Sequence, residues 1–169
     1  PLPQSGRYTF EFKNVSYRYK GAEEYALKNL NLTFEAGKRL AVVGLNGAGK
    51  TTFIKLLLRL YDVTEGEILL NGVDIRRFKR NEYYTLFAPV FQNVEIFAFP
   101  MSENISMKPP CDTDAKLAEK CAVKAGMEEK LNSLSDGIAT ELLKVIHDDG
   151  VDLSGGEKQK LALARALYK

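Results

Sequence analysis

Apolar and polar positions alternate through residues 8–19, YTFEFKNVSYRY, and the aromatic content favours a strand there. Alternation resumes over 26–34 after a glycine turn at 21–24, which predicts two antiparallel strands of one sheet. A second turn at 35–38 leads into the short apolar run RLAVVG at 39–44, predicted as a strand buried on both faces of an α/β sheet. From 50 to 61 the period becomes helical. Phe53, Ile54, Leu57 and Leu60 share a face, and Leu56 and Leu58 widen it until the helix should be mostly buried. Residues 67–72 then predict a strand with a tight turn, and 84–92 a further extended segment.

The texture changes after residue 100. Helices are predicted near 101–106 and over 113–125, with Ser102 and Asp112 as N-caps, and no buried strand interrupts 101–150. This stretch reads as a mostly helical insert on an α/β part. The last pattern, 161–167, is apolar at every position except Arg165, so its helix expects cover on several faces.

Composition narrows the picture only a little. A chain of 169 residues can hold one domain with a sizeable core. Its 45% hydrophobic and 27% charged content is ordinary for a globular protein. The formal charge of +2 comes without a dense basic tract and points to no nucleic acid. The nearest approach, RRFKR at 76–80, is either a solvated turn or a docking surface. Cys111 and Cys121 make no disulfide framework, and His147 has no partner at metal-ligand spacing. No apolar run reaches the roughly 18–20 residues of a membrane span. Residues 1–7 lack the apolar centre of a signal peptide and read as a linker.

Chemistry enters at residues 44–51, GLNGAGKT, a gapless match to G-x-x-x-x-G-K-S/T between an apolar run and a helix. Gly44, Gly47 and Gly49 allow the backbone, with Leu45, Asn46 and Ala48 between them, to turn its amides toward phosphate oxygens. The helix start adds its dipole and free donors. Lys50 can reach β- and γ-phosphates, Thr51 can ligate Mg²⁺, and Thr52 is available on the α-phosphate side. The motif alone leaves GTPases, small-molecule kinases, helicases and transport ATPases open.

A second glycine-bearing helix start lies at 151–159, VDLSGGEKQ. Ser154 and Glu157 have capping-box spacing, but a cap does not ask for Gly155 and Gly156, which weaken a helix's first turn. An anion approaching the bare backbone would explain them.

Here a resemblance becomes specific. LSGGE followed by KQKLALARAL resembles the signature motif of ATP-binding cassette (ABC) transporter ATPases, whose commoner form ends in glutamine. GLNGAGKTT resembles the family's Walker A, PVFQN at 89–93 its Q-loop with Gln92 in the functional place, and FKNVSYRY at 12–19 its adenine-stacking segment, pointing to Tyr19. The stretches around these motifs are similar to exporter-type domains. The resemblance implies a P-loop NTPase fold of ABC type: an α/β core with an antiparallel β subdomain over 8–92, a Q-loop end and helical subdomain over 93–153, and a signature helix over 154–169 returning towards the core. It implies ATP and Mg²⁺ as cofactors, with Tyr19 stacking on adenine, residues 44–52 holding the phosphates, and Thr51 and Gln92 on the metal. Tyr19 otherwise reads as a strand aromatic in a minor core. The resemblance further implies a head-to-tail partner ATPase domain, whose ATP would meet Ser154, Gly155, Gly156 and Glu157. It implies a transmembrane domain, fused N-terminally, and a place on the cytoplasmic face of a membrane; Phe97 and Phe99 would either face that domain or pack between the insert and the core.

One departure matters. The family's hydrolytic parts are an apolar strand ending in aspartate and a catalytic glutamate, and a later histidine. No apolar run here ends in paired carboxylates; Asp148 and Asp149 precede the signature, as does His147. Lys50 and Gln92 are then the catalytic residues present, without a general base. The expectation is the N-terminal part of an ATPase domain whose catalytic strand lies beyond Lys169, inactive as 1–169 alone, with an incomplete core sheet. Two alternatives stay open: a non-hydrolysing partner subunit of a heterodimeric transporter, or an ABC ATPase of DNA repair or translation.

Overall fold

Strand β1 (Thr9–Tyr17) pairs antiparallel with β2 (Leu27–Glu35), matching Phe10 to Phe34 and Phe12 to Leu32, as the alternation predicts. These are features of a computed structural model that describes residues 2, 6–145, 148 and 150–169. Pro1, Pro3, Gln4 and Ser5 of the expected linker, and His147 and Asp149, lie outside the described residues. A bulge at Asn14, where φ is +50°, shifts the parity of β1. Phe10 and Phe12 face the core before it, Val15 and Tyr17 after it, so one strand keeps one apolar face across the irregularity.

Helix α1 (Lys50–Leu57) follows, then β3 (Glu65–Leu70), β4 (Val73–Asp74) and α2 (Arg80–Tyr84). The sheet is open and antiparallel, in the order β2-β1-β3-β4. Phe53 of α1 lies 4.9 Å, centroid to centroid, from Phe12, and with Leu56 it seals the core against the sheet. The helix ends earlier than 61 because Arg59 takes φ +53°. Its amide then bonds Leu56 O and that of Leu60 bonds Lys55 O, the paired closure of a left-handed helix stop. The Arg59 guanidinium fixes this stop by donating to the carbonyls of Ile75, Arg76 and Phe78. Burial of α1 is accordingly partial: Phe53 and Leu56 are buried, Ile54 and Leu60 are not.

Two expected strands are absent among the described residues. Val43 is 89% exposed, and Leu40 and Val42 are exposed too; no strand lies beside 39–44 to pair with it. A strand buried on both faces exists only within a ladder, so the apolar run here remains extended chain without one. In 84–92, α2 takes Tyr84, and the rest is irregular.

The chain divides into two compact units, Pro1–Phe87 and Ala88–Lys169. The second contains α3 (Met101–Ser106), α4 (Ala115–Lys124), α5 (Glu128–Asn132) and α6 (Gly155–Tyr168). Its core joins Met101, Ile105, Ala118, Cys121, Met127 and Leu161. The expected caps shift by two residues. Pro100, not Ser102, precedes α3, and Asp114, not Asp112, caps α4 by accepting from the Leu117 amide at 3.0 Å. Asp112 is instead the last residue of a short 3₁₀ turn, Pro110–Asp112, that follows Pro109. On α6, Leu161, Ala162 and Ala164 are buried while Leu163 and Leu167 stay exposed.

Asn104 is the polar centre of this unit. Its amide nitrogen donates to the carbonyls of Phe97, Phe99 and Pro100, and its Oδ1 accepts from the Phe97 amide. Arg165 of α6 donates to Asn104 O at 2.6 Å and to its Oδ1 at 3.2 Å, while burial lowers the guanidinium's pKa. Truncation to Asn104→Ala strands several buried groups at once and should cost about 3 kcal/mol. Equilibrium urea unfolding would read that loss, and a midpoint within error of wild type would contradict it.

Candidate functional site

The loop 44–49 turns into α1 through two left-handed glycines, Gly47 at φ +84° and Gly49 at φ +85°. Gly49 is required twice over. Besides its φ, an added Cβ would lie 2.6 Å from the Ala26 carbonyl oxygen and 2.7 Å from a Leu27 methyl carbon. Strand β2 therefore backs the loop closely and fixes where α1 begins. Gly49 offers no side-chain cap, and no acidic residue stands in the first turn. The first internal bond runs from Phe53 N to Gly49 O at 2.8 Å, so the amides of Lys50, Thr51 and Thr52 are the donors a helix start leaves without internal acceptors. The result is an electropositive helix end with no anion of its own.

Lys50 arches over this end, and its Nζ donates to the carbonyls of Gly44 and Leu45, each at 2.7 Å. An amide bond from Ala48 to Leu45 O closes the turn, with Leu45, Asn46 and Gly47 exposed on its outer side. Thr51 is exposed and its hydroxyl makes no hydrogen bond among the described residues, whereas Thr52 is buried.

Tyr19 comes to the same place. Its hydroxyl lies 2.9 Å from Thr52 Oγ1. Its ring stands edge-on to Tyr17 at 5.0 Å and to Tyr61 at 5.9 Å, and those two rings stack on each other at 5.5 Å. Burial, then the neighbouring Tyr19 and Tyr61 phenols, raise the Tyr17 pKa above its ordinary value. Tyr19 itself remains 37% exposed, a supported ring with open surface beside the loop. The first unit thus brings together Tyr19 and residues 44–52.

Gln92 and 154–157 belong to the second unit. Ser154 caps α6: its Oγ accepts from the Glu157 amide at 3.3 Å, and Glu157 Oε2 accepts from the Ser154 amide at 2.7 Å, the reciprocal box that the spacing predicts. The Ser154 amide first, then the Ser154 hydroxyl and Lys130, hold the Glu157 carboxyl below its ordinary pKa. Gly155 and Gly156 are exposed, have no positive φ, and an added Cβ at either would meet nothing within 4 Å. Nothing among the described residues explains two glycines there.

The Gln92 side chain makes no hydrogen bond among the described residues, but its carbonyl accepts from Gln159 Nε2 at 2.6 Å. Gln159 was not singled out by the sequence; its signal is its place two residues after Glu157, one turn into α6. Phe97 and Phe99 are exposed and stack with centroids 6.4 Å apart. Among the described residues no three His, Cys, Asp or Glu side chains converge, and no helix is long and apolar enough to cross a membrane.

Residues 27–169 match the sequence model of a family described as ABC transporter. The chain is 38% identical over 159 residues, 94% of its length, to the ATP-dependent lipid A-core flippase of Escherichia coli K12. The same figures hold for the protein of that name from Shigella flexneri. Among solved structures, a bacterial Atm1-family ABC exporter with ATP bound superposes at a TM-score of 0.84, with 33% identity over 99% of this chain. The chain spans 27% of the length of the flippases and 29% of the exporter chain.

Proposed function

The chain belongs to the ABC transporter family, and from that premise we propose that it is the ATP-binding, energy-coupling domain of an exporter-like transporter. The amides of 47–52 and Lys50 hold the β- and γ-phosphates. The uncapped start of α1 and the two left-handed glycines fit a triphosphate in size and sign. The Thr51 hydroxyl, without a hydrogen bond among the described residues, is the metal-facing group of the first unit, and the Gln92 side chain, likewise without one, is a candidate metal ligand on the second. Mg²⁺, when bound, would neutralise charge on the phosphate oxygens; a site with few protein ligands suits an ion held largely by phosphate and water. Ser154, Gly155 and Gly156 receive the γ-phosphate of an ATP held by a partner ATPase domain. In this reading the stacked Phe97 and Phe99 face a transmembrane domain, and the chain lies on the cytoplasmic side of a membrane. As 1–169 alone, the chain binds nucleotide without turning it over, because no apolar run in it ends in the carboxylates that orient water.

The observation that carries this reading is the Tyr19–Thr52 contact, which sets an open aromatic ring against the same helix start that offers phosphate donors. A base on that ring and phosphates on the loop belong to one nucleotide. Tyr19→Ala should therefore weaken ATP binding about tenfold, the usual loss for one base–aromatic stack. Inorganic tripolyphosphate, which has no base, should bind both proteins equally in a calorimetric titration. Equal losses for both ligands would assign Tyr19 to loop integrity and end its role as a base platform.

A further inference from the structure

Glu157 places a carboxylate inside a motif proposed to receive an anion. Its Oε2 sits 2.7 Å from the Ser154 amide, next to the hydroxyl and glycine amides that would meet the phosphate. On its other side, Lys130 Nζ lies 3.3 Å from Glu157 Oε1, reaching across from α5. We propose that Lys130 is a charge-compensating residue of the signature site: it cancels the Glu157 carboxylate so that the bare start of α6 presents a net attraction to a triphosphate. This inference rests on the reading that Ser154, Gly155 and Gly156 face a partner's ATP.

The alternative is a stability role, and the geometry argues against it. The two side chains keep only 22% and 25% of their surface, and a partly buried ion pair spends much of its Coulomb attraction on desolvation, so its net contribution to folding is small. Glu157 also has a sufficient reason of its own, since it closes the capping box and suits the helix dipole. Lys130 takes no part in the box: it is neither cap nor core, and its ammonium pairs with Glu157. What it changes is the field. Without it, one full negative charge stands beside the place where a triphosphate must arrive, and like charges brought close together shift an equilibrium several-fold in partly hydrated surroundings. Salt should shrink that shift, because the face a triphosphate approaches is exposed at Ser154, Gly155 and Gly156 and counterions reach it.

The test compares wild type, Lys130→Met, Glu157→Gln and the double variant. Association with the partner ATPase domain, driven by adenylyl imidodiphosphate and magnesium, is followed by fluorescence energy transfer. Lys130→Met should raise the half-saturating analogue concentration about fivefold at low salt and about twofold at roughly 300 mM. Glu157→Gln removes the charge that needs compensating, so the double variant should return to within about twofold of wild type. A double variant as weak as Lys130→Met would make Lys130 a structural residue and overturn the proposal, as would a Lys130→Met protein that associates normally. Gly156→Asp separates the premise from the inference. If it leaves association intact, the facing-phosphate reading itself fails. If it blocks association while Lys130→Met does not, only the role of Lys130 falls.

Discussion

Lys50→Ala should lower ATP affinity roughly a hundredfold while leaving the fold in place, since two charge-assisted bonds to phosphate are lost together. The lysine's present partners are the Gly44 and Leu45 carbonyls at the edge of an exposed loop, and neither is a core group. The turn that shapes the loop does not depend on it: Gly49 is set by β2, and α1 is fixed by Phe53 and Leu56 in the core. Melting temperature should therefore move by no more than a few degrees. Calorimetry with ATP and with tripolyphosphate should show parallel losses if, as proposed, the ammonium serves the phosphates and not the base, the reverse of Tyr19→Ala. Retained affinity in a folded Lys50→Ala protein would remove the loop from the binding site. The same variant bounds the catalytic claim: magnesium-dependent phosphate release from 1–169 that disappears in Lys50→Ala would show that this chain hydrolyses ATP after all.

What could be read from the sequence follows a physical boundary. The loop at 44–52 and the capping box at 154–157 were legible because each carries a short residue pattern of fixed spacing, although the close approach of β2 that also demands Gly49 left no mark in that pattern. The β1–β2 pair was legible for the same reason, although nothing in the alternation announced the bulge at Asn14 that flips its parity. The run at 39–44 failed as a strand because strand character depends on neighbours in a ladder, and apolar content cannot supply them. The caps at Ser102 and Asp112 failed by two residues each, since Pro100 and the 3₁₀ turn at Pro110–Asp112 decide where the helices start. Asn104, Gln159 and Lys130 were invisible. Each acts on a residue distant in sequence, Asn104 with Arg165, Gln159 with Gln92, Lys130 with Glu157, and no spacing rule reports such a meeting.

Gly156→Asp should leave nucleotide binding to this chain's own loop unchanged and abolish association with the partner domain. The fold has room for it: a Cβ at Gly156 meets nothing within 4 Å, its φ is not left-handed, and the position is exposed in the first turn of α6. Aspartate is moreover favourable at a helix N-terminus, so the helix itself should gain slightly. A loss of function would therefore be decided outside the chain, by whatever approaches the bare backbone. If that is the γ-phosphate of a partner's ATP, the new carboxylate meets it at short range as the interface loses water, where like charges repel most strongly. ATP affinity of the chain by calorimetry should stay within about twofold of wild type, while analogue-driven association should fall at least about a hundredfold. Gly156→Ala is the companion that separates bulk from charge, because it adds volume without a carboxylate and should weaken association far less. If alanine and aspartate were equally damaging, shape would govern this surface; if neither mattered, the two glycines would have to be explained by something other than an anion.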